Sequence, residues 1–278
     1  LIVPRTSARP IDSTFGDARD RRRVYHANLR FFLVGTPDSR GSAPPNLPNK
    51  GPAQSAFVDS ETIGEDDWQE LMRGLEATIP VYDRINRFAT LGQVDRWRRL
   101  VRERLPSEAG VLKGRVLEVG CGPGSFAEEV IGGELVCLDP SALMLAAAEP
   151  RVNSMRASRG DSAVEFVIGK AEALPFDDDS FDAVCSLFSF RDWYDKRAGL
   201  GGVLRVLKPG AKLVIVDPAK MNRLHGFFGW FWMRFWVGSY ARIVCGVSDH
   251  PWKWLTKTYV HFGTTKEYVR MLEEIGFE

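Results

Sequence analysis

The sequence predicts an α/β fold: a doubly wound, mostly parallel sheet, with a helical cap before it and an aromatic helical insertion after the fifth strand. Three observations carry this. Val116-Leu-Glu-Val-Gly-Cys-Gly-Pro-Gly124 runs from apolar β-formers through a carboxylate into glycines at alternate positions. That pattern reads as a buried strand ending in a turn where backbone passes close to a neighbour. Apolar runs near 115–119, 134–138, 164–168, 181–187 and 211–217 alternate with helical patterns near 125–131, 141–149 and 195–206. Strands separated by helices imply parallel pairing. Finally, Lys208-Pro209-Gly210 is a turn that launches the last of these strands.

Taken in order, residues 1–60 are rich in Pro, Ser, Gly and Arg, with Pro44, Pro45, Pro48 and Pro52 close together. They read as a disordered or loosely attached extension. Arg21-Arg22-Arg23 would suit a transit peptide, but Asp12, Asp17, Asp20 and Asp38 argue against one. Residues 61–110 form the predicted helical cap. Asp66 to Ala77 is amphipathic, and Val94 to Leu105 gathers Trp97, Leu100, Val101 and Leu105 on one face. Residues 111–278 carry the sheet. Within them, 218–262 breaks the alternation with Phe227, Phe228, Trp230, Phe231, Trp232, Phe235, Trp236 and Tyr240. Its length approaches a membrane span, but His225, Arg234 and Arg242 interrupt it, and intramembrane arginine is costly. We read the segment as a lid over a hydrophobic substrate, with Trp230 and Phe231 as candidate contacts. Packing on the sheet and interfacial membrane contact are the alternatives. Thr264 to Ile275 is a last helix, capped by Thr264 or Thr265 and stopped by Gly276. An antiparallel hairpin is expected to follow it, beyond Glu278, and its loss would leave an edge strand unpaired.

Composition narrows the function classes. The net charge is +1 over 278 residues, so no global field argues for nucleic acid. Cys121, Cys137, Cys185 and Cys245 lack C-x-x-C spacing and read as buried thiols, which suits a reducing compartment. A cytoplasmic location follows as the expectation, with peripheral membrane contact and a homodimer left open. No metal is expected.

The glycine loop is a candidate nucleotide cradle on a helix N-terminus. Its spacing is not the dinucleotide G-x-G-x-x-G, because Ser125 stands where the third glycine belongs. The absence of G-K-[ST] speaks against a P-loop. Asp139 ends the second strand, about 20 residues on, where an acid can accept from two ribose hydroxyls or cap the next helix. Ile168-Gly-Lys-Ala-Glu-Ala-Leu-Pro-Phe176 opens the loop after the third strand on the same side of the sheet, and backbone near Ala171 can read an adenine edge.

Together, VLEVGCGPG, LDPSALML, GKAEALPFDDDSFDAV and LRVLKPGAKLVIVD resemble the Rossmann-like class I S-adenosylmethionine-dependent methyltransferases. The resemblance implies that Glu118 and the loop Gly120, Cys121, Gly122, Pro123 and Gly124 hold the methionine part of the cofactor. It implies Asp139 at the ribose and Lys170 and Ala171 flanking the adenine, with Pro140 and Leu187 as further cofactor-binding residues. Tyr82 to Arg98 further resembles the N-terminal signature of the ubiquinone/menaquinone C-methyltransferases, the UbiE/COQ5 family. Val94 stands there for the family's histidine and Thr90 for its serine. Arg205 to Ala219 resembles the second signature, Phe188-Ser-Phe-Arg191-Asp192 the family's F-G-x-R-N, and Trp254 to Phe262 the segment before the last helix. The implied activity is methyl transfer to a hydrophobic small molecule, plausibly the ring carbon of a prenylated quinol. Another lipid or secondary metabolite is the alternative acceptor, and a non-catalytic cofactor-binding partner is the alternative role. An NAD-dependent oxidoreductase ranks last. Arg191 is the candidate catalytic residue. As a permanent cation just after the fourth strand it can hold a phenolate oxyanion or orient a water, unless an ion pair with Asp192 or Asp195 consumes it. Tyr82 and Asn86 are candidate substrate contacts from the cap, and packing of the cap is their alternative role.

Overall fold

The computed structural model describes residues 32–35, 64–217, 223–245 and 262–277. The sheet is built from β1 (Phe32–Gly35), β2 (Ser107–Glu108), β3 (Val111–Val119), β4 (Gly132–Asp139), β5 (Glu165–Ile168), β6 (Phe181–Leu187) and β7 (Leu207–Val216). Its order is β1-β7-β6-β3-β4-β5, with β2 paired to the start of β3. The β7-β6-β3-β4-β5 block is parallel throughout. Strand order reverses at β3, whose sequence successor β4 lies on one side and β6 on the other. In open parallel sheets ligands bind at the carboxyl ends beside such a reversal.

Helices cover both faces. On one side α5 (Lys196–Val206) and α8 (Thr265–Ile275) bury Leu200, Val203, Met271 and Ile275 against Leu117, Val119, Val184 and Leu213. On the other, α3 (Gln93–Arg102) and α4 (Ala142–Arg159) bury Val101, Leu145 and Val152 against Val116, Leu135 and Cys185. The alternation along β3 explains this: Val116 faces the α3–α4 layer and Leu117 the α5–α8 layer. Cys121, Cys137 and Cys185 are buried thiols, as expected. Thr264 caps α8 in a capping box with Glu267, and Gly276 ends it in the left-handed conformation at φ 116°.

Three expectations change. The helix sought over 125–131 is a single 3-10 turn, Ala127–Glu129. Its carbonyls are taken by arginines rather than by further helix: Arg159 bonds the Glu128 oxygen at 3.0 Å, Arg102 that of Glu129 at 3.1 Å and Arg156 that of Val130 at 3.3 Å. The helix expected to stop at 149 runs through Pro150 to Arg159. Its second half is anchored by fully buried Val152 and Arg156, the latter also bonding the Gly132 and Gly133 carbonyls. Third, Phe32–Gly35, inside the segment read as an extension, pairs antiparallel with Leu213–Val216. The edge expected to stand open is therefore paired. The segment Trp254 to Val260 lies outside the described residues.

The cap consists of α1 (Glu65–Glu76), α2 (Tyr82–Ala89) and α3. A buried arginine ties it to the sheet. Arg98 donates to Asp83 at 2.8 Å and approaches Glu129 at 3.5 Å, while Arg151 of α4 reaches Asp83 at 3.3 Å. Burial is the largest influence on the Asp83 carboxyl and raises it, but the bonds from Arg98 and Ser125 and the charges of Arg98 and Arg151 together outweigh burial and hold it below its usual range. Removing one partner of such a network leaves the other charges unpaired. Arg98→Ala is expected to lower unfolding free energy by about 3 kcal/mol in a urea titration. A loss below about 1 kcal/mol would show the cap is held by apolar contact alone.

Candidate active site

A cleft enclosing about 710 Å³, its mouth included, opens at the carboxyl ends of β3, β4, β5 and β6. Of the residues singled out from sequence, Tyr82, Gly120, Gly122, Asp139, Pro140, Lys170, Ala171 and Arg191 line it. Glu118, Cys121, Pro123, Gly124, Leu187 and Asn86 do not reach its wall. Asn86 instead hydrogen-bonds Tyr82 one turn away. Trp230 and Phe231 do not line the cleft either, so the described part of the segment read as a lid does not cover it. Their helix packs on α2, through Trp232 and Tyr240 against Phe88.

The cover comes from α1. Trp68, Met72 and Leu75 of this helix line the cleft, and the Trp68 indole donates to the Asp192 carbonyl at 3.2 Å. Lys170 sits 4.1 Å from the Trp68 ring and 5.8 Å from that of Tyr194, a cation held between two aromatic faces at the rim. At the other end of α1, the Ser141 hydroxyl donates to Glu76 at 2.6 Å. The amphipathic spacing of α1 gave its buried face, but nothing in it named the cleft as what that face covers.

The three loop glycines serve different ends. A Cβ on Gly120 would lie 2.3 Å from the Ser189 hydroxyl, and one on Gly124 would strike Val152 of α4 at 2.7 Å. Both positions need glycine for packing. Only at Gly122 (φ 54°) would a Cβ meet nothing within 4 Å, so the space beside it is open cleft. The Gly122 N–H donates to Asp139 Oδ2 at 2.8 Å, and the Ser141 N–H to Oδ1 at 3.0 Å. Burial pushes the Asp139 carboxyl up to about 6 against these two bonds. Two acceptor sites on the carboxylate remain for ligand hydroxyls. Glu118 lies beneath the loop, with only the Cys137 thiol bonding it, at 3.8 Å. Burial pushes its carboxyl up to about 8, against the pull of Arg98. The open cradle at Gly122 and the Asp139 acceptor beside it fit a nucleoside that carries ribose hydroxyls and no phosphate. The shortened helix at 127–129 agrees, since a phosphate would want a full helix N-terminus.

At the other end of the cleft, Arg191 is buried among acids. Its backbone N–H and Nη1 donate to Asp217 at 2.8 and 3.0 Å, and its Nε faces Asp192 at 3.3 Å. Burial alone would weaken the guanidinium, but Asp192 and Asp217 overcome it and hold the charge. The anticipated pairing with Asp195 does not form, because Asp195 caps α5. Asp192 lines this cleft, and its buried Oδ1 has no hydrogen-bond partner among the described residues. Burial raises its carboxyl above the usual range, against Arg191 and Lys196. Sequence reading treated Asp192 only as a neutraliser. Its carboxyl stands where the F-G-x-R-N pattern has an amide, and that was the available signal.

The fold and this cradle define a Rossmann-like, nucleoside-binding α/β enzyme. Residues 69–278 match the ubiE/COQ5 methyltransferase family, and the chain belongs to that family. Its cofactor is S-adenosylmethionine, and it is a methyltransferase. A demethylmenaquinone methyltransferase of Thermotoga maritima is 32% identical over 213 residues, covering 74% of this chain and 87% of that protein. One from Lactiplantibacillus plantarum is 31% identical over 217 residues, with the same coverage of 74% and 87%. The chloroplastic 2-phytyl-1,4-beta-naphthoquinone methyltransferase of Arabidopsis thaliana is 36% identical over 160 residues, 55% of this chain and 59% of that protein.

Two outcomes are expected. Asp139→Ala weakens S-adenosylmethionine binding at least tenfold by calorimetry, and wild-type affinity falls as pH drops below about 6, where this carboxylate takes up a proton. An unaltered Kd would remove it from the ribose. For Glu118, a folded value raised from 4.5 means stability present at low pH and lost as pH rises toward about 8. Glu118→Gln should therefore raise the cofactor-free Tm at pH 8 by a few degrees and flatten its pH dependence. A lower Tm at pH 8 would contradict this.

Proposed function

We propose that this methyltransferase transfers a methyl group to a ring carbon of a prenylated hydroquinone in quinone biosynthesis, the acceptor class named by its relatives. The observation that carries the reading is the Arg191–Asp192 pair, its side chains 9% and 11% exposed, in the wall of a cleft that also presents several aromatic and aliphatic side chains. Trp68, Met72, Leu75, Phe188 and Trp193 offer apolar surface to a fused ring and its chain. Phe188 adopts φ 60°, and its ring packs on Trp97 at 5.8 Å. Residues held in this region of backbone space are typical of ligand sites.

S-adenosylmethionine supplies a methyl already activated by a sulfonium. What remains for the protein is to make the ring carbon electron-rich and hold it in line. Asp192 Oδ1 accepts the phenol proton, for which its raised affinity suits it. Arg191 then faces the phenolate oxygen and stabilises it; it cannot itself act as base, since its own proton is held more tightly than usual. Asp217 accepts one bond from the Arg191 backbone N–H and one from its guanidinium Nη1, and so serves to position it. Transfer would break the methyl–sulfur bond, its electron pair staying on sulfur as a neutral thioether, and the ring carbon would then give up its hydrogen as a proton to solvent, restoring aromaticity. Tyr82 closes this end from α2, with its hydroxyl held neutral by burial.

The test is incubation with methyl-labelled S-adenosylmethionine and prenylated naphthoquinols and benzoquinols, read by mass spectrometry. Label on a ring carbon is expected; label on oxygen, or none, would overturn the reading. Asp192→Asn should reduce kcat about 100-fold and remove the acid limb of the pH–rate profile while cofactor affinity holds. Arg191→Lys, which keeps a charge beside Asp217, should lower kcat at least tenfold. An unchanged kcat in both variants would separate this pair from the chemistry.

A further inference from the structure

The helical run that fails to cover the cleft presents an unexplained surface. It comprises α6 (Arg223–Phe231), a π-helical stretch Trp232–Val237 and α7 (Gly238–Cys245). Its inner side is well satisfied. The Trp232 indole donates to the Ala89 carbonyl at 3.0 Å, and Val237 and Ala241 are buried with Ile85. Its outer side is not. Phe227, Phe228, Phe231, Phe235, Trp236 and Ile243 all stand exposed, with Phe228 at 60%, Trp236 at 58% and Ile243 at 78%. These rings touch one another, Phe231 lying 4.7 Å from Phe235 and Phe227 5.8 Å from Phe228, so the patch is preassembled. The π stretch adds a residue to the turn, keeping Trp236 and Ile243 outward while Val237 and Ala241 turn inward. Contiguous exposed apolar surface of this kind marks an interaction site.

We propose that this face docks in the head-group region of an anionic lipid bilayer. Charge selects the partner. From Pro218 to Ser248 the sequence holds Lys220, Arg223, Arg234 and Arg242 and no Asp or Glu. A cationic, aromatic helical face is the composition that lies in a membrane interface and is drawn to anionic lipids. Among the described residues no helix is long and apolar enough to cross a membrane, so the segment lies along the surface. A second copy of the chain is the poorer occupant. A two-fold contact through this face would set Arg234 and Arg242 against the same cations of the other copy, with no acid between them. The docked face also has a route to the cleft: the α2 helix that receives Trp232 carries Tyr82, which lines the cleft.

The proposal is tested by flotation of the full chain with vesicles of phosphatidylcholine, alone or mixed with phosphatidylglycerol. The wild type should partition about tenfold more strongly onto the mixed vesicles. The double variant Phe228→Ser, Trp236→Ser should lose that partition while its Tm and its turnover of a short-chain acceptor in solution stay unchanged. Arg234→Gln with Arg242→Gln should keep residual binding and lose the preference for anionic lipid. The idea is overturned if the wild type does not float, or if the aromatic variant floats equally well. It is also overturned if light scattering shows a dimer that the aromatic variant dissociates, since the face would then belong to a second copy. Vesicle binding is read without turnover, so its failure leaves the methyltransferase reading standing.

Discussion

The Asp139 carboxylate, bonded at once to the Gly122 and Ser141 amides, is the constraint on which the site depends. It ties the end of β4 to the glycine loop after β3 and to the first turn of α4. Through the Ser141 hydroxyl and Glu76 the tie extends to α1, the helix that covers the cleft. The bonds run to a carboxylate with no cation beside it, so burial leaves its affinity for a proton raised. A ligand that brings hydroxyl donors satisfies the same oxygens without disturbing the loop. On the proposed reading cradle and ligand share one acceptor, and the geometry that holds Gly122 open would also receive the nucleoside.

Charge is divided along the cleft. The cofactor end holds Glu118 and Asp139, two buried carboxylates raised by desolvation to about 8 and about 6. The acceptor end holds a guanidinium set between Asp192 and Asp217. A cationic, hydroxyl-rich cofactor suits the first and a phenol the second. Between them the walls are apolar, so the polar contacts that orient each molecule are few and confined to the ends. Asp217 accepts two bonds from Arg191, whereas Asp192 keeps an oxygen without a partner among the described residues, and the proposed mechanism assigns positioning to the first and proton transfer to the second on this asymmetry.

Much of this was legible in the residues. The parallel order, Asp139 at the end of β4 and the glycine loop follow from local patterns: β-formers before glycine, an acid closing a strand, a turn of Lys-Pro-Gly. What escaped depends on tertiary choice. The amphipathic pattern of α1 marks Trp68 and Leu71 as buried, but burial against a cleft and burial against a sheet leave the same pattern. The aromatic run after β7 reads in sequence as a lid over a hydrophobic substrate; its described part buries one side on α2 and leaves the other exposed. The helix at 125–131 was lost to arginines far away in sequence, which take its carbonyls. The three glycines look alike in sequence, yet two are forced by Ser189 and Val152, and only Gly122 faces open space.

A crystal structure of the chain soaked with S-adenosylmethionine tests the central claim most directly. The account predicts a ribose whose hydroxyls reach Asp139 while the Gly122 amide keeps its bond, with the purine beside Lys170 and Ala171 and the methyl directed toward Arg191 and Asp192. A nucleoside bound elsewhere, or a glycine loop detached from Asp139 when the ligand enters, would contradict it.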